Sequence, residues 1–366
     1  MNQSLPPLPR EEYRSPLWLI TQDPLLTSFV SALQDQRRAI MEEPEREHVL
    51  HFSGDQLDDV RESFAATIRR GESRLHRLCG LLCHLYFNQY EIGSVVIGEV
   101  AANSERFTLV QRITQEELFT LTDLDLGNRQ LSKLRFLDDG QWRQPNLVAN
   151  LVEYQPLELD ARGIHRITSR IKAEEEIWNK VVDEIFEMDE LVQRDKQLAH
   201  LSRYVKDIFG LKVVTTESGK VRRFHEDLGR VEFSAEQLAA LEVPFQDNTR
   251  RLEFVEVKDY LDRGEAKRSG WKAIKSVISW WGDTFEIQVQ PLRNYLQERE
   301  RLTRESHASF KTRREQLRGE ISKLLPLYGF YRDLLRWLFL RPDEAPPTYP
   351  NVKVQIDERI LSRASR

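Results

Sequence analysis

Apolar residues recur at spacings of three, four and seven in the first part of the chain: Leu57, Val60, Phe64 and Ile68, then Leu75, Leu78, Leu82 and Leu85. That period predicts helix over about 27–90, with Gly71 dividing it into two. The period then changes. Residues 92–100 and 107–113 read as strands around a polar turn, and Thr114 with Glu117 forms a capping box that opens a short helix. Short apolar runs broken by Asp, Gly, Asn and Pro over 123–160 predict strands and loops. From 168 to about 200 the pattern is helical, with Ile177, Val181, Ile185, Met188 and Val192 on one face. Residues 207–214 form a strand around Gly210, where a bulge or close backbone approach is possible. The charged stretch 217–250 reads as an insertion or flap with a helical piece near 234–241. Three strands follow, at 250–258, 273–280 and 284–290. A long charged helix begins at Leu292 and is broken by Pro326; 327–340 is a second helix with Tyr328, Tyr331, Leu334, Leu335 and Leu338 on its apolar face. The proline-rich, polar ends read as a leader over 1–25 and a tail from 342.

The strand at 284–290 matters most for function. Phe285, Ile287 and Val289 point to one side, and Glu286, Gln288 and Gln290 to the other. A half-buried strand that presents acids and amides is a natural floor for a cleft.

Composition narrows the class. A chain of 366 residues with 40% hydrophobic content allows two or three domains with ordinary cores. The net charge of −5 argues against a general nucleic-acid coat and leaves room for a local basic pocket. Two cysteines, Cys79 and Cys83, supply no disulfide framework, so a reducing compartment and a cytoplasmic location are expected. No signal-peptide pattern and no run of apolar residues long enough for a membrane helix is found, so no membrane partner is expected. His76, Cys79 and Cys83 share a helix face; they suit a metal site that is one ligand short, or burial as small apolar groups with the histidines at the edge. The face of 327–340 suits packing on the body or docking of a partner.

The motifs over about 160–315, taken in order, resemble those of the RelA/SpoT alarmone synthetases, a branch of the nucleotidyltransferase fold. Arg170-Ile-Lys172, followed by Ile177-Trp-Asn-Lys180, resembles the family's basic signature, whose cations grip the ATP phosphates and stack on adenine. Asp207-Ile-Phe-Gly210-Leu-Lys212-Val is similar to Asp-Leu-Tyr-Gly-Ile-Arg-Val, whose Asp binds magnesium. Lys258-Asp259-Tyr260 matches Lys-Asp-Tyr. Gly270-Trp271-Lys-Ala-Ile-Lys275 resembles Gly-Tyr-Gln-Ser-Ile-His, whose ring stacks on the acceptor guanine. Glu286-Ile-Gln288-Val matches Glu-Ile-Gln-Ile, whose Glu is the catalytic acid/base and a metal partner. The stretch from His307 to Lys311 is similar to the closing His-x-x-Tyr-Lys.

The resemblance implies a mixed α/β (α+β) nucleotidyltransferase-like synthetase domain over 158–320. An N-terminal α+β accessory domain over 26–157 would precede it, and a C-terminal helix and tail over 321–366 would follow. It implies an ATP-dependent pyrophosphokinase that acts on GDP or GTP. Asp207 and Glu286 would be catalytic and hold Mg²⁺, and Arg170, Lys172, Lys180, Lys212, Lys258, Tyr260, Trp271, Lys275 and Gln288 would bind the nucleotides. No His-Asp dipeptide occurs, so the family's hydrolase domain is not expected. The departures from the pattern are Lys212 for Arg, Trp271 for Tyr, Lys275 for His, and Gln290-Pro291 for Arg-Thr. They bear on the acceptor more than on the reaction. Adenine nucleotides or the tRNA 3′ end are therefore alternative acceptors, and a degenerate nucleotide-binding regulator is the non-enzymatic alternative. A protein partner or oligomer would use the N-terminal domain or the 327–340 helix.

Overall fold

The computed structural model describes residues 23–100, 105–138, 140–158, 162–171, 174–186, 208–261, 272–304, 323 and 325–357. Its centre is an eight-stranded mixed sheet in the order β3-β2-β6-β7-β8-β11-β10-β9. These strands are β2 (Tyr90–Val100), β3 (Glu105–Ile113), β6 (Asn146–Pro156), β7 (Ile164–Ile171), β8 (Phe209–Thr215), β9 (Glu253–Asp259), β10 (Ile274–Trp280) and β11 (Asp283–Pro291). All neighbours are antiparallel except β8 and β11, which run parallel. The boundary expected between 157 and 158 falls inside this sheet, where β6 pairs with β7. One hydrophobic core draws on strands from both sides of it.

The sheet is two-sided. Phe285, Ile287 and Val289 of β11, with Phe209, Leu211 and Val213 of β8, form one apolar face. Against it lies α2 (Gly54–Tyr86), preceded by α1 (Pro24–Glu42). The break expected at Gly71 does not occur, and α2 is continuous. Gly71 serves packing instead: a Cβ there would stand 2.3 Å from the Phe209 ring, so only glycine lets the helix lie this close to β8.

Several other expectations are revised. The helix expected from 168 begins only at Glu174; α5 (Glu174–Ile185) follows strand β7, which carries Thr168 and Arg170. Residues 123–131 form α4, capped by Thr122 and Asp125 (the α3 helix, Gln115–Thr120, carries the expected Thr114–Glu117 box). The expected flap contains α6 (Ser218–Leu228), which buries Val221, Phe224 and Leu228 under the sheet; α7 (Ala235–Ala239) and α8 (Asp247–Arg250) follow it. Two strands escaped the pattern because they are short and far apart in sequence: β1 (His48–Phe52) pairs in parallel with β12 (Val352–Ile356), from the expected tail. A small hairpin, β4 (Phe136–Asp138) with β5 (Gln141–Arg143), stands outside the main sheet.

The charged helix α9 (Leu292–Arg304) leaves β11 directly, and α10 (Tyr328–Phe339) returns to α1 and α5. Its face is used within the chain: Tyr328, Tyr331, Leu334, Leu335 and Leu338 are buried, and Phe339 stacks on Trp178 at 4.1 Å. Of the two readings of 327–340, packing on the body is the one the structure shows. No helix among the described residues is long and apolar enough to cross a membrane.

Candidate active site

Side chains on paired residues of adjacent strands share a face. The register therefore lays out the face opposite the apolar one. One row runs Lys258↔Lys275, Lys275↔Gln288, Gln288↔Lys212, Lys212↔Thr168 and Thr168↔Glu153, across β9, β10, β11, β8, β7 and β6. The next row runs Glu256↔Val277, Val277↔Glu286, Glu286↔Gly210 and Gly210↔Arg170. Seven of the eleven side chains implied by the motifs are described, and all seven belong to strands β7–β11 or follow β9 directly.

Glu286 is 4% exposed on a strand central to the sheet, more covered than the half-buried strand expected. Its carboxylate pairs with Lys275 across β10 and accepts a hydrogen bond from Gln288 Nε2 on its own strand. Lys258 lies directly opposite Lys275, and like charges so placed repel. Each finds an acid on the same face: Lys258 pairs with Glu256, and Lys275 with Glu286. Gly210, opposite Glu286, carries no side chain, so the surface between Glu286 and Arg170 is left low. At the strand spacing of about 4.8 Å, the Cα atoms of Arg170 and Glu286 lie about 10 Å apart, two strands away.

α9 covers the other side of the row. Glu298 pairs with Lys212 and accepts from Gln290 Nε2 at 3.0 Å. Burial pushes the Lys212 ammonium down, Glu298 opposes that shift, and Arg170 adds to it. Glu153, 7% exposed, takes Arg166 at 2.6 Å, Arg299 at 2.6 Å and the Tyr295 hydroxyl. Burial and then Glu153 push the Tyr295 phenol up to about 12. This network clamps α9 to β6 and β7. Sequence reading missed Glu153, Arg166, Tyr295, Glu298 and Arg299; the three and four spacing of Tyr295, Glu298 and Arg299 was the available signal.

The remaining expected residues divide. Tyr260 follows β9, with its N–H donating to Ala273 O at 2.9 Å. Lys180 belongs to α5, which packs with α1, α2 and α10, whereas Arg170 is on β7; the two are not on one helix start as expected. Lys172, Asp207, Trp271 and the stretch from His307 to Lys311 lie outside the described residues. The β10–β11 hairpin turns at Trp281 and Gly282, both with positive φ, the pattern of a two-residue I′ turn.

Of the two readings of His76, Cys79 and Cys83, the cysteines follow the second, burial as small apolar groups, while His76 is itself buried rather than at the edge. Among the described residues, the ligand atoms that gather within 4.8 Å of one another are those of Glu72, His76 and Asp123. Cys79 and Cys83 are fully buried, and burial raises both thiols, so they behave as apolar groups. Burial, with Asp123 beside it, pushes the Glu72 carboxyl up to about 8.

No family model matches the chain, and no curated protein matches it. Among solved structures, it is similar to small alarmone synthetase 1 from Bacillus subtilis bound to its product pppGpp, at 16% identity over 49% of this chain and 75% of that one, with a TM-score of 0.21. A second structure of small alarmone synthetase 1 from Bacillus subtilis gives 17% identity over 44% of this chain and 82% of that one, also with a TM-score of 0.21. At that TM-score the likeness carries no weight for the chemistry, which rests on the residues of the sheet face.

Proposed function

We propose that the chain is a nucleotide-dependent transferase that moves the β,γ-pyrophosphate of ATP to the 3′-hydroxyl of GDP or GTP, with Glu286 as general base. The observation that carries this reading is the register of the polar face. It gathers a buried carboxylate, an amide and the cations of four strands on one face of the sheet.

The chemistry asks little covalent work of the protein; position and charge dominate. Arg170 and Lys212 would meet the donor triphosphate, and Lys275 and Lys258 the phosphates between donor and acceptor. Trp271 and Tyr260 would lie against the bases. As phosphate arrives, Lys275 moves from Glu286 to the anion and frees the carboxylate. Glu286 then takes the proton of the 3′-hydroxyl. The oxygen forms a bond to the β-phosphorus, the bond from that phosphorus to the α,β-bridging oxygen breaks, and AMP leaves. Mg²⁺, when bound, would neutralise charge on the phosphates. Glu286 offers oxygen donors of the hard type it prefers, and Asp207, three positions before the Gly210 that pairs with Glu286, would be its second holder.

The test is incubation of the purified chain with γ-labelled ATP and GDP, GTP, ADP or tRNA. Labelled pyrophosphorylated guanosine is the expected product. Label on adenosine or tRNA would move the acceptor to the alternatives, and tight nucleotide binding with no transfer would replace the enzyme with a regulator.

A further inference from the structure

On the apolar side of the sheet, Glu72 and His76 lie one turn apart on α2, and Asp123 opens α4. All three are buried, at 6%, 1% and 6% exposure. His76 Nε2 is 3.0 Å from Asp123 Oδ1 and 3.9 Å from Glu72 Oε1. Ligands held about 2.0–2.1 Å from a tetrahedral zinc ion stand about 3.3 Å from one another, so these separations bracket that value. The far ring nitrogen, Nδ1, meets the Tyr154 hydroxyl at 3.1 Å, which orients the imidazole with Nε2 toward the two carboxylates.

Two observations say that the hydrogen bonds do not complete this cluster. Asp123 Oδ2 is buried and accepts no hydrogen bond among the described residues. Neither carboxylate pairs with a lysine or arginine there, whereas Asp283, buried on the same side, has Arg74 at 2.8 Å. Carboxylate oxygens buried in an apolar core without a cationic partner among the described residues are costly, and a divalent cation would offset that cost.

We propose that Glu72, His76 and Asp123 bind a divalent transition-metal ion, zinc by the borderline character of its one imidazole and two carboxylate donors. The site is independent of the sheet's polar face. It ties α2 to α4, with Tyr154 of β6 behind the histidine, and supplies three protein ligands to the ion.

The experiment is metal analysis of the purified full chain before and after chelator treatment, with thermal melting on adding back zinc. About one zinc per chain that survives gel filtration, and a melting temperature that falls on stripping and recovers with zinc alone, is the expected result. Cobalt in place of zinc should give visible absorption bands of a low-symmetry site. Asp123→Asn, which keeps the shape and the contact to His76, should weaken zinc binding by at least about 100-fold; Glu72→Gln provides a second variant should the first fail to fold. No stoichiometric metal and no change in melting on adding zinc to the stripped wild-type chain would overturn the proposal. So would zinc retention and cobalt bands unchanged in both variants.

Discussion

The two faces of the central sheet treat charge in opposite ways. On the polar face the acids are met by cations: Glu286 by Lys275, Glu256 by Lys258, Glu298 by Lys212, and Glu153 by Arg166 and Arg299. Most of these groups lie on strands with alternating pattern, and one charged helix covers part of them. On the apolar face charge is rare and each instance is costly. Asp283 is fully buried and has Arg74; Glu72, which accepts from the Asp123 N–H, and Asp123 gather at His76 without a lysine or arginine among the described residues; His225 is tucked against Ser276 at 2.7 Å. Balanced charge near solvent can be exchanged for a charged ligand, because an incoming phosphate replaces one carboxylate partner with another anion. Charge in a core cannot be exchanged that way, so there it serves to position elements or to hold an ion.

This contrast can be broken at several points. The largest effect belongs to the polar face. Glu286→Gln should lower pyrophosphate transfer by about 10²- to 10⁴-fold, the usual contribution of a general base. A rate within about twofold of wild type would remove Glu286 from the mechanism.

On the other face the effect should be on folding. Arg74→Ala leaves Asp283 ionised, buried and without its guanidinium, at a cost of about 3–5 kcal/mol in urea denaturation. Burial already raises the Asp283 carboxyl, with Arg74 opposing. Adding Asp283→Asn to Arg74→Ala should restore part of the loss; full additivity of the two changes would show that the pair is not coupled.

The smallest effect is a pH dependence. Burial holds the His225 imidazole below its ordinary value of 6.5, with Asp259 and Glu226 pulling the other way. The unfolded chain therefore takes up the proton first. His225 contributes stability that is present above about 6.5 and is lost as pH falls toward its depressed folded value, with a slope of at most about 1.4 kcal/mol per pH unit. Stability curves measured from pH 7.5 downward should be flatter for His225→Gln than for wild type over that window. An unchanged slope would show that His225 does not titrate differently on folding.

Much was legible in the sequence wherever a local period decides the structure. The alternation in 284–290 specified which side chains of β11 point together, because side-chain direction in a strand is a property of the backbone alone. The Thr114–Glu117 box located a helix start for the same local reason. The motif order named Glu286, Gln288, Lys275, Lys212 and Lys258, and the register of four strands placed them on one face. What the sequence could not decide depended on partners distant along the chain. Gly71 looks like a helix break until Phe209 is known to lie against it. Arg170 looks like the first turn of a helix until β8 pairs with its segment. β1 has no pattern of its own, since its partner is β12, some 300 residues away. The same holds for charge. Glu72 and His76 are ordinary i, i+4 helix residues in the sequence, and only the fold carries Asp123 to them and excludes the water that would otherwise solvate all three. Periodicity determines which way a side chain faces; tertiary contact determines what it meets, and both candidate sites depend on the second.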